Sequence, residues 1–246
     1  MPFFAPLARA VGTLEIIDGP NPVPFAEMAC CMTDISRVNG LFGGRMVTMI
    51  HVRKLLADLP ADRLVTVLDV GTGAGDIPRA LVRWARREGR RIRVFALDRD
   101  AATLQIAARI VREYPEITFL RGDALALPIR PGAVDLTISA MTLHHLEPDA
   151  GARYLVEMDR AARVGFVVND LVRSRIAHAV VWLITRFITR SAISRHDGPL
   201  SVRRSYTPPE VDRLCEEAGL RGVSVVHHWP YFRFCAVRAK GAMAAG

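Results

Sequence analysis

The sequence predicts an α/β protein built on a doubly wound, mostly parallel sheet, and three observations carry that prediction. An apolar, β-branched run, Val65 to Val70, ends in the glycine-rich turn Gly71-Thr72-Gly73-Ala74-Gly75. The amphipathic segment Ile77 to Arg87 follows it directly, so strand, turn and helix succeed one another. Strand-like and helix-like stretches then alternate as far as residue 168, as parallel βαβ units require. Glycines at the turn allow close backbone approach to a ligand. A strand-to-helix turn at the carboxyl edge of such a sheet is where open α/β folds bind nucleotides.

Composition narrows the class. At 246 residues, half of them apolar, the chain suits one α/β domain with an insertion. Cys30, Cys31, Cys215 and Cys235 form no C-x-x-C pattern, so no metal site is expected and reduced thiols in a cytoplasmic protein are the plain reading. Met1-Pro2-Phe3-Phe4-Ala5-Pro6 does not read as a signal peptide. The longest helix-like apolar run, Ala179 to Ile184, is far short of a membrane span. The net charge of +8 comes almost wholly from arginine, Lys54 and Lys240 being the only lysines. The arginines are scattered without aromatic interleaving, which argues against nucleic acid as substrate.

Taken in order, residues 1–24 read as a Pro-rich extended arm. Residues 25–59 read as helical, broken at Asn39-Gly40 and Gly43-Gly44, with Met46, Ile50 and Leu55 on one face. We divide the chain into an arm and helical cap, 1–60, and a ligand-binding domain, 61–240, with a helical insertion at 171–206. The second strand, 94–97, closes at Asp98, which suits the two hydroxyls of an adenosine ribose, while Asp100 caps the helix of residues 101–114. After the third strand, 117–120, Asp123 and the Ala124 amide offer an acceptor and a donor that match an adenine edge. The fourth strand, 133–140, contains Ser139 and runs into His144-His145; the fifth, 164–168, ends at Asn169-Asp170. Leu171 to Ser194 then reads as one long helix, Arg195 to Pro199 as a loop, Thr207-Pro208-Pro209-Glu210 as a capped helix start, and 223–228 with 231–238 as a hairpin.

In a dinucleotide fingerprint the third glycine would stand at position 76, where this chain has Asp, a poor neighbour for a pyrophosphate. The D-x-G-x-G-x-G stretch from Asp69 to Gly75 resembles motif I of the class I S-adenosylmethionine (SAM)-dependent methyltransferases. Asp98 matches that family's motif II, Gly122 to Pro128 resembles motif III, and the phrase from Asp135 to Leu146 resembles motif IV of small-molecule members related to ubiquinone and menaquinone biosynthesis. The resemblance implies a Rossmann-like seven-stranded sheet of order 3-2-1-4-5-7-6 with strand 7 antiparallel, preceded by a helical cap. It implies SAM as cofactor, bound by Asp69, Gly71, Thr72, Gly73, Gly75, Asp98, Arg99, Asp123, Ala124 and Ser139, and a small-molecule acceptor.

A weakly acidic hydroxyl needs a base, and His is the first candidate near neutral pH. His144 with Asp170 is the expected dyad, because strands 4 and 5 would be neighbours; His145 is the alternative. O-methylation of a phenol or other hydroxyl is favoured, with C-methylation as the alternative. A SAM-binding regulator would not need the His-Asp pair, an NAD-dependent oxidoreductase is disfavoured by Asp76, and the Asn/Asp-Pro-Pro-Tyr loop of amino-group nucleic-acid methyltransferases is absent after strand 4. The insertion carries Val180, Val181, Trp182, Leu183, Ile184, Phe187 and Ile188, more apolar surface than one helix face needs. It reads as a cover over a fairly apolar acceptor, with a homodimer interface and an anionic membrane surface as the other two readings.

Overall fold

The computed structural model describes residues 6–241. Seven strands, β1 (Val65–Val70), β2 (Ile92–Asp98), β3 (Ile117–Arg121), β4 (Val134–Ala140), β5 (Ala162–Leu171), β6 (Val223–His228) and β7 (Arg233–Ala239), form one sheet of order β3-β2-β1-β4-β5-β7-β6. The five strands β1 to β5 pair parallel, and β7 runs antiparallel between β5 and β6. Strand order and the direction of strand 7 are as the sequence resemblance implies.

The helices are α1 (Phe25–Leu41), α2 (Gly44–Leu55), α3 (Asp76–Arg87), α4 (Ala101–Ile110), α5 (Pro148–Ala161), α6 (Arg175–Phe187), α7 (Ala192–Arg204) and α8 (Pro208–Glu217). Side-chain alternation in β1 sorts the core into two layers. Val65 and Val67 pack with Val47 and Val52 of α2 and Leu81 of α3, whereas Leu68 and Val70 pack with Leu155 of α5 and Leu214 of α8. Local chemistry starts several helices: Asp100 accepts from Thr103 N–H at α4, Ser174 from Ala177 N–H at α6, and Thr207 with Glu210 forms a capping box at α8.

Four local expectations are corrected. Asn39-Gly40 does not interrupt α1; the chain breaks only at Gly43, which takes φ 78°. On α2 the expected inner face lies largely outside: Met46 and Ile50 are exposed, while Val47, Thr48, Met49 and Val52 are buried. The break exempts α2 from the phase of α1, and buried volume against β5 and α3 chooses the face. The fifth strand continues through Asp170, which pairs with Phe234 of β7, because an antiparallel neighbour extends the ladder beyond the parallel one. Finally, the single helix expected over 171–194 is two, α6 and α7, and Arg195 to Pro199 lies inside α7. Proline in a helix interior costs about 3 kcal/mol. Burial of Ile193, Leu200 and Val202 opposes that cost, and Gly198 permits the close α6–α7 approach, since a Cβ there would meet Thr185 Cγ2 at 2.6 Å.

Candidate active site

The carboxyl ends of β1, β2, β4 and β5 open into a cavity of about 590 Å³, walled on its far side by α1, α6 and α7. Gly71 and Gly73 line its floor with φ 73° and 52°, conformations that disfavour a side chain. A Cβ on Gly71 would also lie 2.4 Å from Thr142 Oγ1. The turn is anchored where Leu97 O accepts the N–H groups of Gly71 and Thr72.

Carboxylates surround this turn. Asp69, at the end of the central strand, is buried and accepts from Thr72 Oγ1 at 2.7 Å. Burial, reinforced by the negative charges of Asp76 and Asp98, pushes its carboxyl up to about 7, against the Thr72 hydrogen bond. Asp98 spends one contact of each oxygen on backbone N–H groups, those of Gly73 and Asp100, both at 3.1 Å. Burial raises its pKa too, since those donors compensate only in part. Asp76 accepts from Asn39 Nδ2 at 2.8 Å, and burial raises it above the usual carboxylate range. Asp123 is exposed to the cavity and accepts from Leu125 N–H at 2.9 Å.

Facing the turn is a short 3-10 segment, Leu143–His145, that follows β4. Met141, just before it, holds a positive φ of 62° although it is not glycine, a conformation that functional turns often retain. His144 is buried: its Nδ1 and backbone N–H donate to the two oxygens of Asp170 at 2.7 and 2.9 Å, and its Nε2 stands 3.4 Å from Glu15 Oε1. Burial works against the charged ring, but Asp170 and Glu15 overcome it and push the imidazole up to about 10. Asp170 is lowered by His144, against its own burial. At neutral pH His144 is an imidazolium between two carboxylates, with no vacancy for a proton.

His145 is different. It lines the cavity as His144 does, but it is partly exposed, and its Nδ1 contacts Asp18 Oδ2 at 2.5 Å. Asp18 is held below the usual carboxylate range: burial raises it, and the hydrogen bond from His145 with the charge of Arg99 lowers it further. An ionised carboxylate only accepts, so Nδ1 donates to Asp18, and Nε2 is the ring nitrogen that Asp18 does not engage.

Glu15 and Asp18 come from the arm that the sequence shows only as Pro-rich. It is a strap fastened across the site. Asp197 of α7 accepts the N–H groups of Ile16 and Ile17 at 2.9 and 3.3 Å. The guanidinium of Arg204, fully buried, donates to Thr13 O, to His144 O at 3.2 Å and to His145 O at 2.8 Å, clamping strap and histidine turn together. Neither Glu15 nor Asp18 carries a periodic or motif signal; the contacts that recruit them span 81 residues or more in sequence.

Of the residues singled out from sequence, Asp69, Gly71, Thr72, Gly73, Asp98, Arg99, Asp123, Ala124, His144 and His145 line the cavity. Three do not. Gly75 turns the chain into α3 with φ 70°, Asp170 lies behind His144, and the Ser139 hydroxyl donates to Val70 O at 2.7 Å within the sheet. Arg99 reaches the strap, its Nη2 pairing with Asp18 Oδ1 at 2.5 Å. Among the described residues two clusters also bring metal-ligating atoms within 4.8 Å of one another, Glu15/His144/His145 and His51/His228/Cys235. The ion pairs just described account for the first, and an Nε2–Nε2 hydrogen bond of 2.8 Å between His51 and His228 for the pairing in the second.

Sheet order, glycine turn and the acidic residues ending β1 and β2 define a nucleoside-binding α/β enzyme, and comparison with known proteins gives the family. Residues 67–165 match the family model described as a methyltransferase domain. The chain is 31% identical over 204 residues to the 2-phytyl-1,4-naphtoquinone methyltransferase of Thermosynechococcus vestitus, covering 73% of this chain and 82% of that one. This chain belongs to the class I SAM-dependent methyltransferases. Solved structures share its fold: a SAM-dependent methyltransferase from Aquifex aeolicus (TM-score 0.52, 22% identity, 75% of this chain and 86% of that one) and human N-acetylserotonin methyltransferase in complex with SAM (TM-score 0.61, 18% identity, 89% and 57%). The cofactor is SAM, and the donor set fits it. The carboxyl oxygens of Asp69, Asp98 and Asp123 offer acceptors that suit an ammonium, ribose hydroxyls and an amino group, and acidic groups here disfavour a phosphate. Among the described residues no helix is long and apolar enough to cross a membrane.

Proposed function

We propose that the protein methylates a hydroxyl of a small, apolar, phenol-like acceptor, with His145 as general base and Asp18 holding its ring. The observation that carries this reading is the Asp18–His145 pair, set at 2.5 Å in the same cavity as the glycine turn. SAM, when bound, supplies a methyl group activated by its sulfonium. Asp69, Gly71, Gly73, Asp98, Asp123 and Ala124 hold it; Nε2 of His145 takes the hydroxyl proton, and Asp18 stabilises the imidazolium so formed. His144 and Asp170 then serve to position, not to take a proton. Leu14, Ile17, Met28, Ile35 and Val181 give the acceptor side apolar walls. The relative named for a phytyl-substituted naphthoquinone accords with an acceptor that pairs a ring with a hydrocarbon tail. It also supports a second reading, C-methylation, because removing a hydroxyl proton makes the ortho ring carbon nucleophilic as well.

Methyl transfer from labelled SAM to alkyl-substituted phenols and to the corresponding methyl ethers tests the proposal. We expect ether products from the phenols and none from the ethers; label on ring carbon would select the second reading. His145→Ala should lower kcat by ~10²–10⁴-fold and leave SAM affinity intact. Wild-type kcat in that variant would remove His145 from the chemistry.

The insertion fits the role of acceptor wall. Val181 and Thr185 of α6 face the cavity, whereas Trp182, Leu183 and Phe187 are exposed. Trp182 emission, isolated by subtracting Trp182→Phe, responds to acceptor if α6 is a lid, to dilution if it is a dimer interface, and to anionic vesicles if it meets a membrane. A signal that ignores every acceptor the enzyme methylates would end the lid reading.

A further inference from the structure

Five of the arginines that look scattered in sequence converge at one place, on α2 and α3. On α3, Arg79, Arg83 and Arg87 recur at every fourth residue, and on α2 Arg45 and Arg53 are eight apart, so each set forms a stripe along one helix face. The two helices pack together, and their stripes line a separate pocket of about 240 Å³ floored by Met49, Ala80 and Trp84. Among the described residues Asp76, buried and already bonded to Asn39, is the one carboxylate in its lining, and it also lines the larger cavity.

Nine arginines elsewhere among the described residues are paired with a carboxylate, with Arg9, Arg63, Arg86, Arg99, Arg160 and Arg173 at 2.5 to 2.7 Å. None of the arginines lining this pocket has a salt bridge among the described residues. Like charges gathered in a concavity repel one another and raise the local potential, a cost that a bound anion removes. The pocket is also partly preorganised. The Arg45 guanidinium lies against Gly40, where a Cβ would meet Nη2 at 2.1 Å, and Arg53 stands 5.8 Å from the Trp84 ring.

We propose that the groove between α2 and α3 is a binding site for a phosphate-bearing anion. Guanidinium forks match phosphate oxygens in pairs, so an anionic tetrahedral group offers acceptor oxygens to several arginines at once. The ligand source is a free diphosphate-type metabolite or the phosphodiester head group of a lipid, and the two share this chemistry. The inference stands apart from the methyl-transfer reading, because the pocket uses none of the residues assigned to SAM or to the base.

The test is calorimetry with sodium pyrophosphate on the full chain saturated with S-adenosylhomocysteine, which occupies the SAM cavity. We expect one saturable site whose affinity falls at least tenfold in the Arg79→Gln/Arg83→Gln variant and falls with added salt. That variant should keep wild-type S-adenosylhomocysteine affinity, and its melting temperature should hold or rise as repulsion is relieved, so a folding defect is visible separately. Sedimentation with phosphatidylglycerol vesicles, against phosphatidylcholine alone, distinguishes the sources. Arginine-dependent vesicle binding assigns the lipid head group; pyrophosphate binding without it assigns a soluble phosphate. Non-saturating heat, or pyrophosphate and vesicle affinities unchanged in the double variant, overturns the proposal.

Discussion

His144 and His145 are adjacent in sequence and stacked 4.2 Å apart, yet their surroundings divide their work. His144 is closed between Asp170 and Glu15, whereas His145 is open to the cavity with one carboxylate behind it. A ring held at about 10 in the folded state, against an ordinary value of 6.5, stabilises the fold fully below pH 6.5 and loses that contribution as pH rises towards 10. We therefore predict that His144→Gln, which strands two buried carboxylates, costs about 3–5 kcal/mol near pH 6.5. The gap to wild type should close by up to about 1.4 kcal/mol per pH unit above that. Urea unfolding midpoints from pH 6.5 to 9.5 measure it, and a gap independent of pH would show that His144 is not held charged. At Asp98, loss of the carboxylate in Asp98→Ala should weaken S-adenosylhomocysteine by roughly 1.5–3 kcal/mol, read by calorimetry; unchanged affinity would remove Asp98 from the site. The histidine pair and Asp98 were legible because strand ends followed by polar residues are visible in a linear pattern. Which histidine faces a vacancy was not, because Glu15 and Asp18 arrive from the far end of the chain.

Among elements, the strap and α7 form one device. Asp197 holds the backbone of Ile16 and Ile17, Glu15 accepts from Ser201 Oγ at 2.9 Å, and Arg204 spans Thr13 and the histidine turn. Asp197→Ala should thus release Glu15 and Asp18 together. We predict a stability loss of about 1–3 kcal/mol from the freed strap donors, with kcat reduced and proteolysis appearing within residues 7–18. Wild-type kcat and no new cleavage would show that the strap is held by other contacts. The sequence reading missed this device for definite reasons. Residues 7–18 bury polar groups, not an apolar stripe, so they have no period; and Gly198-Pro199 looks like a turn until Thr185 is found against the glycine and Leu200 in the core. Propensity spoke locally where packing decided.

At the scale of the whole molecule, topology explains why four short motifs suffice to place a site. Parallel pairing aligns Asp69 beside Ala96, and Ala140 beside Asn169, so every strand that ends in a functional turn ends on one edge. Sheet order and the position of the glycine turn were therefore readable from the motif order, whereas the convergence of α2 and α3 arginines was not, since it depends on how two helices pack. Removal of the acceptor proton by His145, in the cavity assigned to SAM, is the step on which the proposed function turns. Its most direct test is the pH dependence of kcat for wild type and His145→Ala on a phenolic acceptor, whose own hydroxyl ionises near pH 10. If His145 is the base, the deficit of the variant shrinks about tenfold per pH unit from pH 7 towards 10, as the phenol comes to ionise unaided. A deficit of constant size across that range would contradict the claim.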